Sequence, residues 1–366
     1  MMYRKIFIIL SMIFVFTLLK QEIYEFINPV GQALNRVSAP NNDKKEALYA
    51  CIENLYCGNS YVVSAYQKPK SYKDPLKIDY QNVSFDAATF FAKEETENVV
   101  TMNRIGRIYS YEEITDFDFL YSNFFTVASV TSLNAQRYDV KKLLETNLSI
   151  QKDSNAPQIL IFHTHSQETF VDSDTNDTDT SIIGVGNTLA KHLEDMGYNV
   201  LHDTSNYDIV NGVLDRSKAY TYANEAIKKH LEKYPSIEVI LDIHRDGVPD
   251  DKLFVTEIEG KKMAKIMLFN GISYTNINGE IDYLKNENLD ANLATSLQMQ
   301  LLAEAYYPDL MRKMYIHGYR YCLHHRGRSM LVEVGAQNNT IEEAKNAMLP
   351  FAITLDKLLS GEKIIE

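Results

Sequence analysis

The 366-residue sequence has no G-x-S-x-G stretch and no Walker motif, so neither a serine elbow nor a phosphate-cradling lysine loop is available to it. Positive charge is scarce. Lys and Arg number 37 against 49 Asp and Glu, a formal net charge of -12, whereas a surface that neutralises phosphates needs the opposite excess gathered on one face. No nucleic-acid partner is expected. Cysteine is nearly absent: Cys51 and Cys57 could close a small loop outside the cytoplasm with Cys322 left over, or all three stay unpaired. Solenoid-period repeats and collagen-like or low-complexity bias are missing as well. What is left is a chain long enough for one large or two ordinary domains with a real apolar core.

One uncharged apolar run interrupts this pattern, "IFIILSMIFVFTLL" at 6–19, closed by Lys20. As a helix it rises about 21 Å, short of the ~30 Å hydrocarbon core, so length alone also allows a signal peptide. No small-x-small cleavage site follows the run directly, and "VSAP" at 37–40 lies far downstream with a proline just after the would-be cut. Arg4, Lys5 and Lys20 can snorkel while Tyr3 and Tyr24 sit at the interfaces. The expectation is an uncleaved single-pass anchor over 1–26 in the cell membrane, with Arg4 and Lys5 inside and the rest of the chain extracytoplasmic. Residues 27–150 are expected to form a small N-terminal extracytoplasmic region, and 151–366 the catalytic domain.

From Gln158 onward, apolar runs bounded by turns alternate with helical periodicities, which predicts βαβ units: a mainly parallel sheet with helices on both faces. "QILIFH", "YNVLHD", "IEVILDIHRDG", "KKMAKIMLFNG" and "SMLVEVG" read as strands. "SIIGVGNTLAKHLEDMG" reads as a helix with Ile182, Val185, Leu189 and Leu193 on one stripe and Gly197 beyond its end. "SKAYTYANEAIKKHLEKYP" is a second helix stopped by Pro235, "NENLDANLATSLQMQLLAEAYYPDLMRKM" holds one or two more, and "TIEEAKNAMLPFAITLDKLL" is the closing one.

Catalytic groups in such sheets gather at the C-terminal ends of strands. "ILIFHTHSQE" ends in His165-x-x-Glu168, "EVILDIHRDG" carries His244, and "MLVEVG" carries Glu333. Two imidazoles and one carboxylate suit catalytic zinc, leaving a fourth position for water whose pKa falls towards neutrality. Glu333, a charge inside an apolar strand and costly to bury without a task, is the candidate proton shuttle; pairing with Arg326 or Arg328 is the plain alternative. Alternation puts His163 and His165 on one side of an extended strand, so either could ligate. The H-x-x-E spacing picks His165 and leaves His163 behind it or facing substrate. Asp242 is a candidate to orient an imidazole or to cap a strand end. Arg245 either holds a carboxylate or oxyanion, or pairs with Asp246. "VDSDTNDTDT" at 171–180 lacks the glycine and distal glutamate of a calcium loop and reads as a flexible acidic loop.

Taken in order, "ILIFHTHSQETF", "VGNTLAKHLEDMGYNV", "DRSKAY", "SIEVILDIHRDG" and "LVEVGAQNNTIEEAKNAM" closely resemble the stage II sporulation protein P family over roughly 158–360. The resemblance implies an amidase-like fold and a zinc N-acetylmuramoyl-L-alanine amidase acting on peptidoglycan during engulfment, with cutting of peptide cross-links also credited to the family. It implies zinc held by a His-Glu-His set, a later catalytic glutamate, and stage II sporulation proteins D and M as partners. In the usual amidase the glutamate ligand lies on the first helix after the histidine. "SIIGVGNTLA" has none, so Glu168 would take that role. The rivals are a zinc carboxypeptidase or endopeptidase on wall peptides, and a non-catalytic membrane-anchored scaffold.

Overall fold

The computed structural model describes residues 104–152 and 155–365. The expected membrane anchor, the Cys51–Cys57 pair and most of the expected N-terminal region lie outside the described residues. Among the described residues no helix is long and apolar enough to cross a membrane.

The strands, in chain order, are β1 Phe125–Val127, β2 Ile159–Phe162, β3 Val200–His202, β4 Ile209–Val210, β5 Val213–Leu214, β6 Val239–Asp246, β7 Val255–Ile258, β8 Lys261–Ala264, β9 Ile266–Gly271, β10 Tyr274–Thr275, β11 Gly279–Glu280, β12 Met314–His317 and β13 Arg328–Ala336. Seven of them form the central sheet in the order β1-β12-β9-β13-β6-β2-β3. Every neighbouring pair in it is parallel except β9 with β13. The mainly parallel sheet is as expected; the antiparallel joint in its middle is not. "KKMAKIMLFNG" is not one strand. It splits at Lys265 into β8, which closes an antiparallel hairpin with β7, and β9, which runs against β13.

Helices cover both faces because the strands are apolar on both. On one face Ile159, Ile161, Leu241, Ile243, Leu268 and Val332 share a core with helix α4 (Ile182–Asp195), α6 (Leu289–Tyr306) and α8 (Met348–Leu359). On the other, Leu160, Phe162 and Ile240 pack against Ala219, Ala223 and Ile227 of α5 (Ala219–Lys233). Ile182, Val185, Leu189 and Leu193 are buried on α4 as their spacing predicts, and Gly197 follows the helix at φ +91°. The 286–314 segment read as one or two helices holds a single helix, α6, buried nearly all round. From its last residue onward runs "MYIH", which is β12, a strand too short to show a period. The closing segment is two helices, α7 (Ile341–Asn346) and α8, with Pro350 in the first turn of α8, where its missing N–H costs nothing.

The boundary expected at 150 does not hold for the described residues. Before it come α1 (Tyr111–Thr115), α2 (Phe117–Phe124), β1 and α3 (Val140–Glu145). Strand β1 pairs with β12, and Phe125, Leu143 and Leu144 belong to the large core. A three-residue edge strand flanked by short helices carries no periodicity long enough to announce its partner.

Gly186 marks the closest approach of α4 to the sheet. A Cβ there would stand 2.6 Å from His202 Nε2 and 2.7 Å from His163 Nε2. Gly186→Ala is therefore expected to lower stability by about 1–3 kcal/mol despite the better helix propensity of alanine, read as a lower urea midpoint. An unchanged or higher midpoint would show that the two rings can give way.

Candidate metal centre

Strand β2 stops at Phe162, and the chain turns through 163–167 before Thr169 bridges to Ser181. The alternation assumed for His163 and His165 therefore ends before either residue. His165 turns towards Glu168 and His244, with 5.0 Å between the two imidazole centroids. His163 turns the other way, donating from Nδ1 to the Ile243 carbonyl at 2.8 Å and meeting His202 Nε2 at 2.8 Å. His163 is thus part of the packing between α4 and the sheet, not one of the converging groups.

The converging groups are His165, Glu168 and His244, all buried, each offering one donor atom within 4.8 Å of the others. Glu168 Oε1 lies 3.5 Å from His165 Nδ1, and Oε2 lies 3.5 Å from His244 Nδ1. These gaps are too long for good hydrogen bonds, and Glu168 Oε1 is buried with no hydrogen-bond partner. A carboxylate oxygen and two imidazoles facing a common point with such gaps fit a borderline cation such as zinc. These are the three residues that the H-x-x-E…H spacing singles out, and the structure brings them together.

Around it the chain fixes each group. Arg245 donates its backbone N–H to Glu168 Oε2 at 2.9 Å, and its side chain donates from Nε to the Thr169 carbonyl at 2.9 Å. Arg245 therefore ties β6 to the loop carrying Glu168. Its expected partner Asp246 is instead held by Arg312 at 2.8 Å. Asp242 accepts the Thr164 N–H at 2.9 Å and the Thr164 hydroxyl at 2.6 Å, which pins the loop. Its Oδ1 also approaches His244 Nε2 at 2.8 Å, off the line of a hydrogen bond, on the ring edge away from Glu168. A carboxylate behind an imidazole in this way sets ring orientation and raises basicity.

Electrostatics follow from this burial. Burial opposes charge on Glu168, but the rings of His244 and His165 and the Arg245 guanidinium outweigh it and hold its carboxyl well below the usual range. Burial likewise opposes charge on His244, and Asp242 with Glu168 outweighs it, raising the ring well above its ordinary value. For His165 burial dominates and the pKa falls.

Glu333 stands opposite His244 in the β13–β6 register, on the same face of the sheet. It is buried and its Oε2 has no hydrogen-bond partner. Burial first, then repulsion from Asp246, raises its pKa well above the carboxylate range. Neither arginine nearby in sequence pairs with it: Arg326 donates to the Ile237 carbonyl and Arg328 to the Leu148 and Ser149 carbonyls. Just beyond it the register with β6 shifts and Gly335 adopts φ +62°, where a Cβ would also meet Asn339 Oδ1 at 2.5 Å. That glycine lets the strand kink directly after Glu333.

Sequence reasoning missed Arg216, whose Nη2 lies 3.9 Å from Glu168 Oε1, and Tyr220, whose ring meets that of His165 edge-on at 5.7 Å. Both lie in "DRSKAY", a stretch with no metal-ligand spacing of its own. The acidic run 171–180 is tied down: Asp172 accepts the Ile341 N–H at 2.8 Å, Asp177 caps a 3-10 turn, and Asp179 pairs with Lys345 and Asn187. Its acids cap turns rather than gather round a cation.

Away from the centre, burial holds His317 neutral down to about 4 and His324 to about 2. The unfolded chain takes up those protons near pH 6.5. Their contribution is complete above that pH and is lost as pH falls from there through the folded values, about 1–2 kcal/mol each by pH 5. A urea midpoint that falls from pH 7 to pH 5, with a flatter fall in His317→Gln, is the expected result; a pH-independent midpoint would contradict it.

A model of Stage II sporulation protein P matches residues 62–356. The stage II sporulation protein P of Bacillus subtilis (strain 168) is 23% identical over 209 residues, which cover 52% of this chain and 48% of that protein. The chain thus spans about half the length of the curated relative it matches. Among solved structures, the CwlD amidase from Clostridioides difficile in complex with the GerS lipoprotein is 14% identical, covering 56% of this chain and 98% of that chain at a TM-score of 0.33. The N-acetylmuramoyl-L-alanine amidase AmiC2 of Nostoc punctiforme is 12% identical, covering 57% and 97% at a TM-score of 0.34. With the matched span covering most of its length, the chain belongs to the stage II sporulation protein P family.

Proposed function

We propose that the chain is a zinc-dependent peptidoglycan hydrolase that cuts the amide between the muramoyl lactyl group and L-alanine. It acts during engulfment in sporulation, tethered through residues 1–26 with its catalytic domain on the outer side of the membrane and stage II sporulation proteins D and M as partners. The observation that carries the reading is the buried trio of His165, Glu168 and His244 with a second buried carboxyl, Glu333, opposite His244 in the sheet register and without a hydrogen-bond partner at Oε2. Family membership supports the wall as the substrate.

In this reading His165, Glu168 and His244 hold the ion, which when bound lowers the pKa of a water and polarises the scissile carbonyl. Asp242 holds the His244 ring, and Arg245 holds Glu168 through its backbone N–H. Glu333 takes the proton of the attacking water on its carboxylate and returns it to the leaving amine nitrogen, a task helped by burial, which raises its pKa above the usual carboxylate range and so makes the carboxylate a stronger base. A net negative chain works on an insoluble anionic substrate because tethering supplies local concentration without electrostatic steering.

Mass spectrometry of products from purified wall tests the reaction class. Intact stem peptides with bare glycan strands are expected. Terminal amino acids would instead indicate a carboxypeptidase, cleaved cross-links an endopeptidase, and no product with or without protein D a scaffold.

A further inference from the structure

Among the described residues, the Arg216 side chain stands at this centre with no hydrogen bond to hold it. Arg216 Nη2 is 3.9 Å from Glu168 Oε1, and Arg216 Nε is 3.9 Å from Asp208 Oδ2. Both separations exceed hydrogen-bond reach, and Nε is buried without a hydrogen-bond partner. The side chain nevertheless keeps 27% of its exposure, so part of it reaches solvent beside the buried Glu168. An arginine free to close on a carboxylate would do so at about 2.8 Å through two parallel N–H donors.

The backbone explains the stand-off. Asp208 and Arg216 sit at the two feet of the β4–β5 hairpin, whose tip is Asn211–Gly212 with φ of +52° and +77°. The Asp215 N–H donates to the Asp208 carbonyl at 2.8 Å, and the Asp215 side chain caps the 3-10 turn Arg216–Lys218. Asp208 is itself engaged, accepting from the Ser166 hydroxyl at 3.0 Å. Glu168 Oε2 is engaged by the Arg245 N–H. The hairpin therefore fixes the gap, and the planar donors of Arg216 remain unused by the chain's own acids.

We propose that Arg216 is a substrate-holding residue, taking a free carboxylate on the peptide whose amide bond is cut. This rests on the hydrolase reading. An anion is favoured over a neutral carbonyl by charge: once Glu168 is committed to a cation, the guanidinium loses half of its compensation, and a carboxylate restores it with bidentate geometry. The hairpin then serves as the rigid stem that sets the distance from the cut bond to that carboxylate.

The test is calorimetric binding of two probes to the zinc-loaded chain: a muramoyl dipeptide ending in a free acid, and the same compound with that acid amidated. Wild type is expected to prefer the acid by about ten- to hundredfold. Arg216→Ala should lose the preference, and Arg216→Lys should keep part of it, since the charge remains and the fork does not. If wild type shows no preference, or if Arg216→Ala keeps it, the proposal fails. Should Arg216→Ala fold poorly, Arg216→Gln read against Arg216→Lys gives the same decision. Wild type that prefers the acid yet releases no stem peptide from wall would overturn the hydrolase reading and leave the carboxylate-holding role standing.

Discussion

Glu333→Gln is expected to leave fold and metal content intact while lowering amide hydrolysis by about 10²–10⁴-fold, the usual contribution of a positioned acid–base group. The substitution keeps the shape of the side chain and removes only its ability to take and return a proton. Glu333 pays for its position in stability: it is buried, Oε2 has no hydrogen-bond partner, and burial with repulsion from Asp246 raises its pKa. A carboxyl whose folded pKa lies above its unfolded value is stabilised below about pH 4.5 and weakens the fold as pH rises through the folded value. The glutamine variant should therefore be at least as stable as wild type at pH 7. Turnover, zinc content and urea midpoint measured side by side check all three statements. Retention of more than a tenth of the wild-type rate would remove Glu333 from the proton path.

His244→Ala is expected to do the opposite, abolishing metal binding and destabilising the fold. His244 lies between Asp242 Oδ1 at 2.8 Å and Glu168 Oε2 at 3.5 Å, all three buried. Without the ring, two buried carboxylates face a cavity with no cation between them, a change that typically costs about 3–5 kcal/mol. The loss should shrink as pH falls towards the carboxylate range, because protonation neutralises what the ring had balanced. Zinc content after dialysis and unfolding at pH 7 and pH 5 provide the check. Stoichiometric zinc in the variant would show that the ion sits elsewhere.

Much of this centre was legible in the sequence because it depends on short spacings at strand ends. His165 and Glu168 are three apart in one turn, Asp242 and His244 alternate onto one face of β6, and Glu333 falls opposite His244 once β13 joins β6. The misreadings arose where a local rule was carried past the element that justified it. His163 was given the face of His165 by strand alternation, but β2 ends at Phe162 and the turn sends His163 to His202 instead. Strands β8 and β9 read as one because Lys265, the single residue between them, carries no breaker signal. Arg216 was invisible because its meaning comes from a hairpin that brings it back to Glu168, nearly fifty residues upstream, and no periodicity encodes that closure. The wrongly placed boundary at 150 has the same origin, since β1 finds β12 across most of the described chain.

The central claim is that His165, Glu168 and His244 together hold one metal ion. Zinc K-edge X-ray absorption on the purified, zinc-loaded chain tests it most directly. The account predicts one zinc per chain, with two imidazole nitrogens and carboxylate or water oxygen in the coordination sphere and no sulfur, and loss of one imidazole contribution or of the metal itself in His165→Ala. A chain that retains no zinc, a sulfur ligand from Cys322, or a spectrum unchanged by His165→Ala would contradict it.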